Sequence, residues 1–133
     1  MKYRFTKRTG GESHGAFASL NLGTHVGDDL ELVLKNREIL RSEVGPVQFM
    51  NQVHGDAVEI ISQHTDVSPT CDALVTDIPG ITLAVMTADC IPLLLSSGSV
   101  VAAVHVGRRG LINGVANKTV KVMRELGAIS VSA

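Results

Sequence analysis

Two histidines and one cysteine stand in short strings that each close a strand-like run: Gln52-Val53-His54-Gly55, Thr87-Ala88-Asp89-Cys90, and Val104-His105-Val106-Gly107-Arg108-Arg109-Gly110. Strand ends are where loops present reactive groups on a rigid scaffold. Two imidazoles and one thiolate suit Zn²⁺, and three protein ligands leave a fourth position for water or substrate, as in catalytic rather than structural sites. Gly55 and Gly107 permit close backbone approach. The intervals between His54, Cys90 and His105 match no short zinc-finger pattern, so spacing alone does not single them out. Each also has an ordinary structural reading, because free cysteine is often buried and a lone histidine often bonds locally.

Other polar residues carry weaker signals. Asp89, beside Cys90, is placed to orient a ligand or a substrate hydroxyl, and is equally readable as a turn carboxylate. Arg108 and Arg109 lie between two glycines just before a helix, a setting that suits a phosphate or else a solvated basic pair. Arg37, on the apolar side of a helix, and Arg8, before Gly10-Gly11, are further anion-binding candidates, since an arginine near a core needs an anionic partner. Cys71, in Pro69-Thr70-Cys71-Asp72, reads as part of a turn with no neighbouring base. His14, His25 and His64 fall in Gly-rich or polar loops and read as surface residues, with His25 the one of interest.

The elements that must position these groups follow from pattern. Residues 1–27 carry Gly10, Gly11, Gly15, Gly23 and Gly27 between short apolar pieces, which predicts a folded loop segment. A helix follows, with Asp28 as cap, Glu31 in the first turn and Leu30, Val33, Leu34, Leu40 and Val44 near one face, until Gly45-Pro46 ends it. Strands are expected at Val47–Val53, Ala57–Ser62, Ala73–Thr76, Ile81–Thr87, Ile91–Ser96 and Val100–Val106. A second helix is expected from Leu111 to Leu126 with Gly127 as its C-terminal cap. The tail Ala128–Ala133 reads as the start of a strand whose partners lie outside this chain. The class is α+β, with a strand-rich centre and two main helices.

Composition narrows the function. At 133 residues with 44% hydrophobic content, one domain spanning 1–133 is expected, with enough apolar material for a core. Aromatics are 3% and tryptophan is absent, which argues against stacking on single-stranded nucleic acid. A formal charge of -1 argues against a general polyanion binder. The basic start is followed by Thr9-Gly10-Gly11-Glu12 rather than an apolar run, and no apolar stretch approaches a membrane span, so a cytoplasmic protein is expected. Two cysteines make no disulfide framework.

The strings together resemble the signatures of the YfiH-type laccase-domain family, also described as multicopper polyphenol oxidase domain or purine nucleoside phosphorylase proteins. The resemblance takes in Arg8-Thr9-Gly10-Gly11-Glu12-Ser13, Ser19-Leu20-Asn21-Leu22-Gly23-Thr24-His25-Val26-Gly27-Asp28-Asp29, Asn36-Arg37, Gln52-Val53-His54-Gly55, Asp72-Ala73-Leu74-Val75-Thr76, Pro79-Gly80, Thr87-Ala88-Asp89-Cys90-Ile91-Pro92, and His105 with Arg109-Gly110. It implies a four-layer α/β/β/α sandwich of the CNF/YfiH-like type and a zinc held by His54, Cys90 and His105. Asp89 joins these three as catalytic, and Arg37, Arg109, Asn21 and Arg8 are implied to contact substrate or phosphate. The activity implied is phosphorolysis of adenosine, inosine, guanosine and methylthioadenosine, with deamination of adenosine. Copper-dependent phenol oxidation is one alternative, although only one His/Cys set can be assembled here, and an inactive, truncated metal-binding remnant is the other.

The chain departs from that pattern in two places. Val106 and Arg108 stand where the family usually has alanine and tryptophan, which changes one wall of the pocket. Family members are also longer, so the chain reads as a domain incomplete at its C-terminus.

Overall fold

A computed structural model describes residues 1–133. The chain forms two compact units, Lys2–Gly45 and a second comprising Pro46–Ala133 with Met1. The class is α+β, as expected, and no helix is long and apolar enough to cross a membrane.

The first unit is one helix with a loop wrapped on it. Helix α1 (Leu30–Val44) buries Val33, Asn36 and Leu40, one residue per turn along a single face. Leu30 and Leu34, expected on that face, are exposed. The cap is Asp29, whose side chain accepts from the Glu31 amide at 2.8 Å. Asp28, expected in that role, instead accepts from Ser13 Oγ at 2.6 Å and Asn21 Nδ2 at 2.9 Å, and these bonds hold its carboxyl below the ordinary range. The helix stops at Gly45, whose φ of 82° suits glycine.

Asn36, fully buried, ties the loop together. Its Oδ1 accepts from the Glu12 amide at 2.7 Å, and its Nδ2 lies 2.9 Å from Ser13 Oγ and 2.8 Å from Asn21 O. Gly11 is obligatory there, because a Cβ would stand 2.4 Å from Ser19 O and 2.5 Å from Asn36 Oδ1.

The second unit contains two sheets. Strands β1 (Val47–Gln48) and β4 (Thr82–Leu83) pair in parallel. Strands β2 (Val58–Ile60), β3 (Ala73–Thr76), β5 (Ile91–Ser97) and β6 (Val100–Val106) form a sheet ordered β2-β3-β6-β5. Pairing is parallel for β2 with β3 and antiparallel elsewhere. Between β5 and β6 the turn is only Gly98-Ser99, with Gly98 at φ 59°.

Period-two alternation decides which face each side chain serves. Ala73, Val75, Ala102, Val104 and Val106 join Val115 and Met123 in the larger core cluster. Leu74 packs on the other face with Met50, Ile61 and Cys71. His105 lies between Val104 and Val106 in β6, so its side chain points to the face opposite the larger core.

Strands β3 and β6 have the expected bounds, but the runs expected at 47–53, 57–62 and 81–87 contract to two or three residues. The backbone of 53–55 and of 86 bonds to side chains instead of to neighbouring strands. The single helix expected over 111–126 is two: α2 (Arg108–Ile112) and α3 (Val115–Glu125), parted by Asn113 and Gly114, the latter left-handed at φ 79°. Arg108 and Arg109 therefore begin a helix rather than precede one. Helix α3 buries Val115, Thr119 and Met123 at four-residue spacing. The tail finds a partner within the chain, because Ser132 and Ser96 exchange two backbone hydrogen bonds of 2.9 Å.

Replacing Asn36 by leucine keeps the volume and removes every one of these bonds. Urea unfolding is expected to show a loss of about 3 kcal/mol, the range for orphaned buried polar groups; a loss near zero would mean the loop does not depend on Asn36.

Candidate metal centre

His54, Cys90 and His105 converge: one donor atom from each lies within 4.8 Å of the other two. The two imidazoles meet edge to face, with ring centroids 4.7 Å apart at 81°. His105 is buried, Cys90 is partly exposed and His54 is exposed, so the cluster opens to solvent on one side.

Three local devices bring these residues together. The first is the Gln52 side chain, whose Oε1 accepts from the Met86 amide at 2.8 Å while its Nε2 donates to the Met86 carbonyl at 2.7 Å. A carboxamide thus stands in for a neighbouring strand and brings the run leading to Cys90 beside the run leading to His54. The second is Asp72, fully buried at the entry to β3. Its Oδ1 accepts from the His54 amide at 2.9 Å and lies 2.8 Å from His105 Nδ1; its Oδ2 accepts from the amides of Gly55 at 2.7 Å and Val53 at 3.3 Å. Burial pushes this carboxyl's pKa up, but the bonds from His105, Gly55 and Val53 outweigh it and hold the pKa below the ordinary value. The third is Gly107, where a Cβ would stand 3.0 Å from His54 Cδ2, 3.5 Å from Cys90 Sγ and 3.7 Å from His105 Cε1. A side chain there would crowd all three donors.

The donor set fits a transition metal. The contact of His105 Nδ1 with Asp72 leaves Nε2 as the ring's donor, the carboxylate–histidine arrangement common behind metal ligands. Without a metal, the Cys90 thiol is pushed up by burial and by the charge of Asp89, whose Oδ1 is 3.7 Å from Sγ. Metal capture must displace that proton, so uptake strengthens as pH rises. Cys71 is a different case: fully buried in an apolar cluster, its pKa is pushed up to about 12, and it behaves as a core residue.

The remaining candidates are distributed between the two units. In the second unit Asp89, Arg108 and Arg109 are exposed, and the arginines occupy the first turn of α2. In the first unit Arg8 donates to the carbonyls of Ala16 and Ala18, Asn21 donates to Asp28, and half-buried Arg37 donates to Leu22 O at 2.9 Å. His14 and His25 are exposed, and His64 Nε2 lies 3.2 Å from Val47 O. Asp72 and Gln52 went unrecognised as positioning residues in the sequence. The available signal was an acid at the start of an apolar β-run and a glutamine two residues before a histidine.

Comparison with known proteins decides the family. The model for multi-copper polyphenol oxidoreductase laccase matches residues 2–132. The chain belongs to this family. Among its relatives, one from Corynebacterium glutamicum named purine nucleoside phosphorylase is 45% identical over 133 residues, covering 93% of this chain and 54% of that protein. The crystal structure of a Neisseria meningitidis protein aligns with a TM-score of 0.83 at 47% identity, covering 88% of this chain and 50% of the other. That of the Bacillus licheniformis hypothetical protein YfiH aligns at 0.81 and 30% identity, covering 91% and 51%. The expected YfiH-type membership therefore holds, and the chain spans about half the length of these relatives.

In metal-free protein, Cys90 is expected to alkylate slowly at neutral pH and Cys71 not at all. Asp89→Asn should speed Cys90 alkylation severalfold, followed by mass spectrometry; an unchanged rate would remove the Asp89 charge from the account.

Proposed function

We propose that this chain is a zinc-dependent purine nucleoside phosphorylase of the laccase-domain family, acting on adenosine, inosine, guanosine and methylthioadenosine, with adenosine deaminase activity at the same site. The convergence of one thiol and two imidazoles within 4.8 Å carries this reading. The name of the Corynebacterium relative supports the reaction class.

His54, Cys90 and His105 would hold the metal, which when bound supplies Lewis-acid polarisation and activates water near neutral pH. Asp72 keeps the proton of His105 on Nδ1, so the other nitrogen stays available as a donor. Asp89, exposed beside Cys90, is assigned to orienting a ligand or a substrate hydroxyl. Arg109, two residues beyond Gly107, is assigned to phosphate. Arg8 and Asn21 remain assigned to substrate or phosphate contact, Arg8 donating to the Ala16 and Ala18 carbonyls and Asn21 to Asp28 within their loop. In phosphorolysis a phosphate oxygen bonds to the anomeric carbon as the carbon–nitrogen bond breaks; the base leaves with that electron pair and takes a proton, giving ribose 1-phosphate.

A second reading, copper-dependent phenol oxidation, draws on the family description. Against it, the chain assembles a single three-donor set, whereas multi-electron oxygen chemistry uses several coppers.

Metal analysis of the chain and of Cys90→Ala, with assay of ribose 1-phosphate from inosine with and without phosphate, tests the proposal. About one zinc per chain and phosphate-dependent product are expected, both lost in the variant. Stoichiometric zinc without turnover would reduce the chain to a metal-binding remnant. Oxygen uptake with a phenol, dependent on copper, would favour the second reading, and a folded chain that binds no metal would overturn the site.

A further inference from the structure

We infer that Asp72 is the positioning residue that assembles both histidine donors before a metal arrives, an inference that rests on reading His54, Cys90 and His105 as a metal centre. All four hydrogen-bonding partners of its carboxylate belong to the runs carrying those histidines: the amides of Val53, His54 and Gly55, and the ring of His105. Its backbone carbonyl also accepts from the His105 amide at 2.7 Å, so His105 is gripped at main chain and ring by one residue.

The backbone supports the same assignment. His54 is the one non-glycine residue with positive φ, at 58°. An L-residue enters that region at a cost, and successive amides there turn toward a common anion. The anion in this case is the protein's own carboxylate. Without it, the His54 turn loses its reason for a left-handed conformation and the imidazole loses its aim. The two histidines also differ in exposure, one at the rim and one buried, and Asp72 Oδ1 is the atom they share. A ring held as the Nδ1–H tautomer offers Nε2 to a metal without reorganisation.

Asp72→Asn tests this by chemistry rather than by bulk. An asparagine has the same shape but one acceptor oxygen: placed at the Oδ1 position it accepts from His105 and His54 and sets its NH₂ against the Gly55 and Val53 amides, and placed at the Oδ2 position it accepts from those two and sets its NH₂ against Nδ1 and the His54 amide. If it turns its NH₂ toward Nδ1, the ring proton moves to Nε2, the atom needed for the metal. Cobalt titration by visible absorption, with chelator competition, is expected to show affinity lowered about 10- to 100-fold, the range for loss of a ligand's supporting carboxylate. Metal-free wild type should show His105 as the Nδ1–H tautomer in ¹⁵N NMR, with slow hydrogen exchange at His54 and Gly55. This second measurement stands even if the variant does not fold.

Unchanged cobalt affinity and spectrum in a folded variant would overturn the inference. So would an Nε2–H tautomer or rapidly exchanging amides in metal-free wild type. A wild type that takes up no cobalt while keeping that tautomer and those protected amides would sink the metal reading instead.

Discussion

A carboxylate with no exposure to water must have its charge met by protein donors, and in this chain that constraint falls on Asp72. Both of its oxygens are occupied by three backbone amides and an imidazole. Much of the second unit's irregularity follows. Beyond β1, which ends at Gln48, the amides of Val53, His54 and Gly55 turn to the carboxylate instead of to a strand, and His54 takes a left-handed backbone to allow it. The register that pairs Ala73 with Val104 sets Asp72 opposite His105 one step further along. The polar site is thus an extension of the apolar sheet, held by the same β3–β6 pairing that fills the core.

Cys90 arrives by a separate route. The Gln52 carboxamide pairs with Met86 and carries the following run, Thr87 to Cys90, to the His54 turn. Gly107 then leaves the space in which three side chains meet. The two cysteines show how environment sorts like residues. Cys71 faces an apolar cluster with Met50 and Leu74 and is chemically quiet, while Cys90, partly exposed beside Asp89, stays within reach of a metal.

Elements governed by simple periodicity were legible in the sequence. Strands β3 and β6 and helix α1 fall where their apolar patterns place them, since each has a regular stripe and strong stops. Legibility failed where a side chain replaced a backbone partner. The run expected at 47–53 contains the right apolar residues, but its ladder ends at Gln48 and its Val53 amide goes to Asp72, while in the run expected at 81–87 the Met86 amide goes to Gln52. The helix expected over 111–126 has a continuous stripe, yet Gly114 takes a left-handed conformation and α2 separates from α3. The donors His54, Cys90 and His105 could be named from residue type and strand-end position. Asp72 could not, because Pro69-Thr70-Cys71-Asp72 reads as a turn until the burial of its carboxylate is known.

The central claim is that one metal is held by two imidazoles and one thiolate. X-ray absorption at the zinc edge of the loaded protein tests it directly. The account predicts a single sulfur scatterer at about 2.3 Å, with nitrogen and oxygen scatterers at about 2.0–2.1 Å. A shell without sulfur, or with a second metal scatterer, would contradict it.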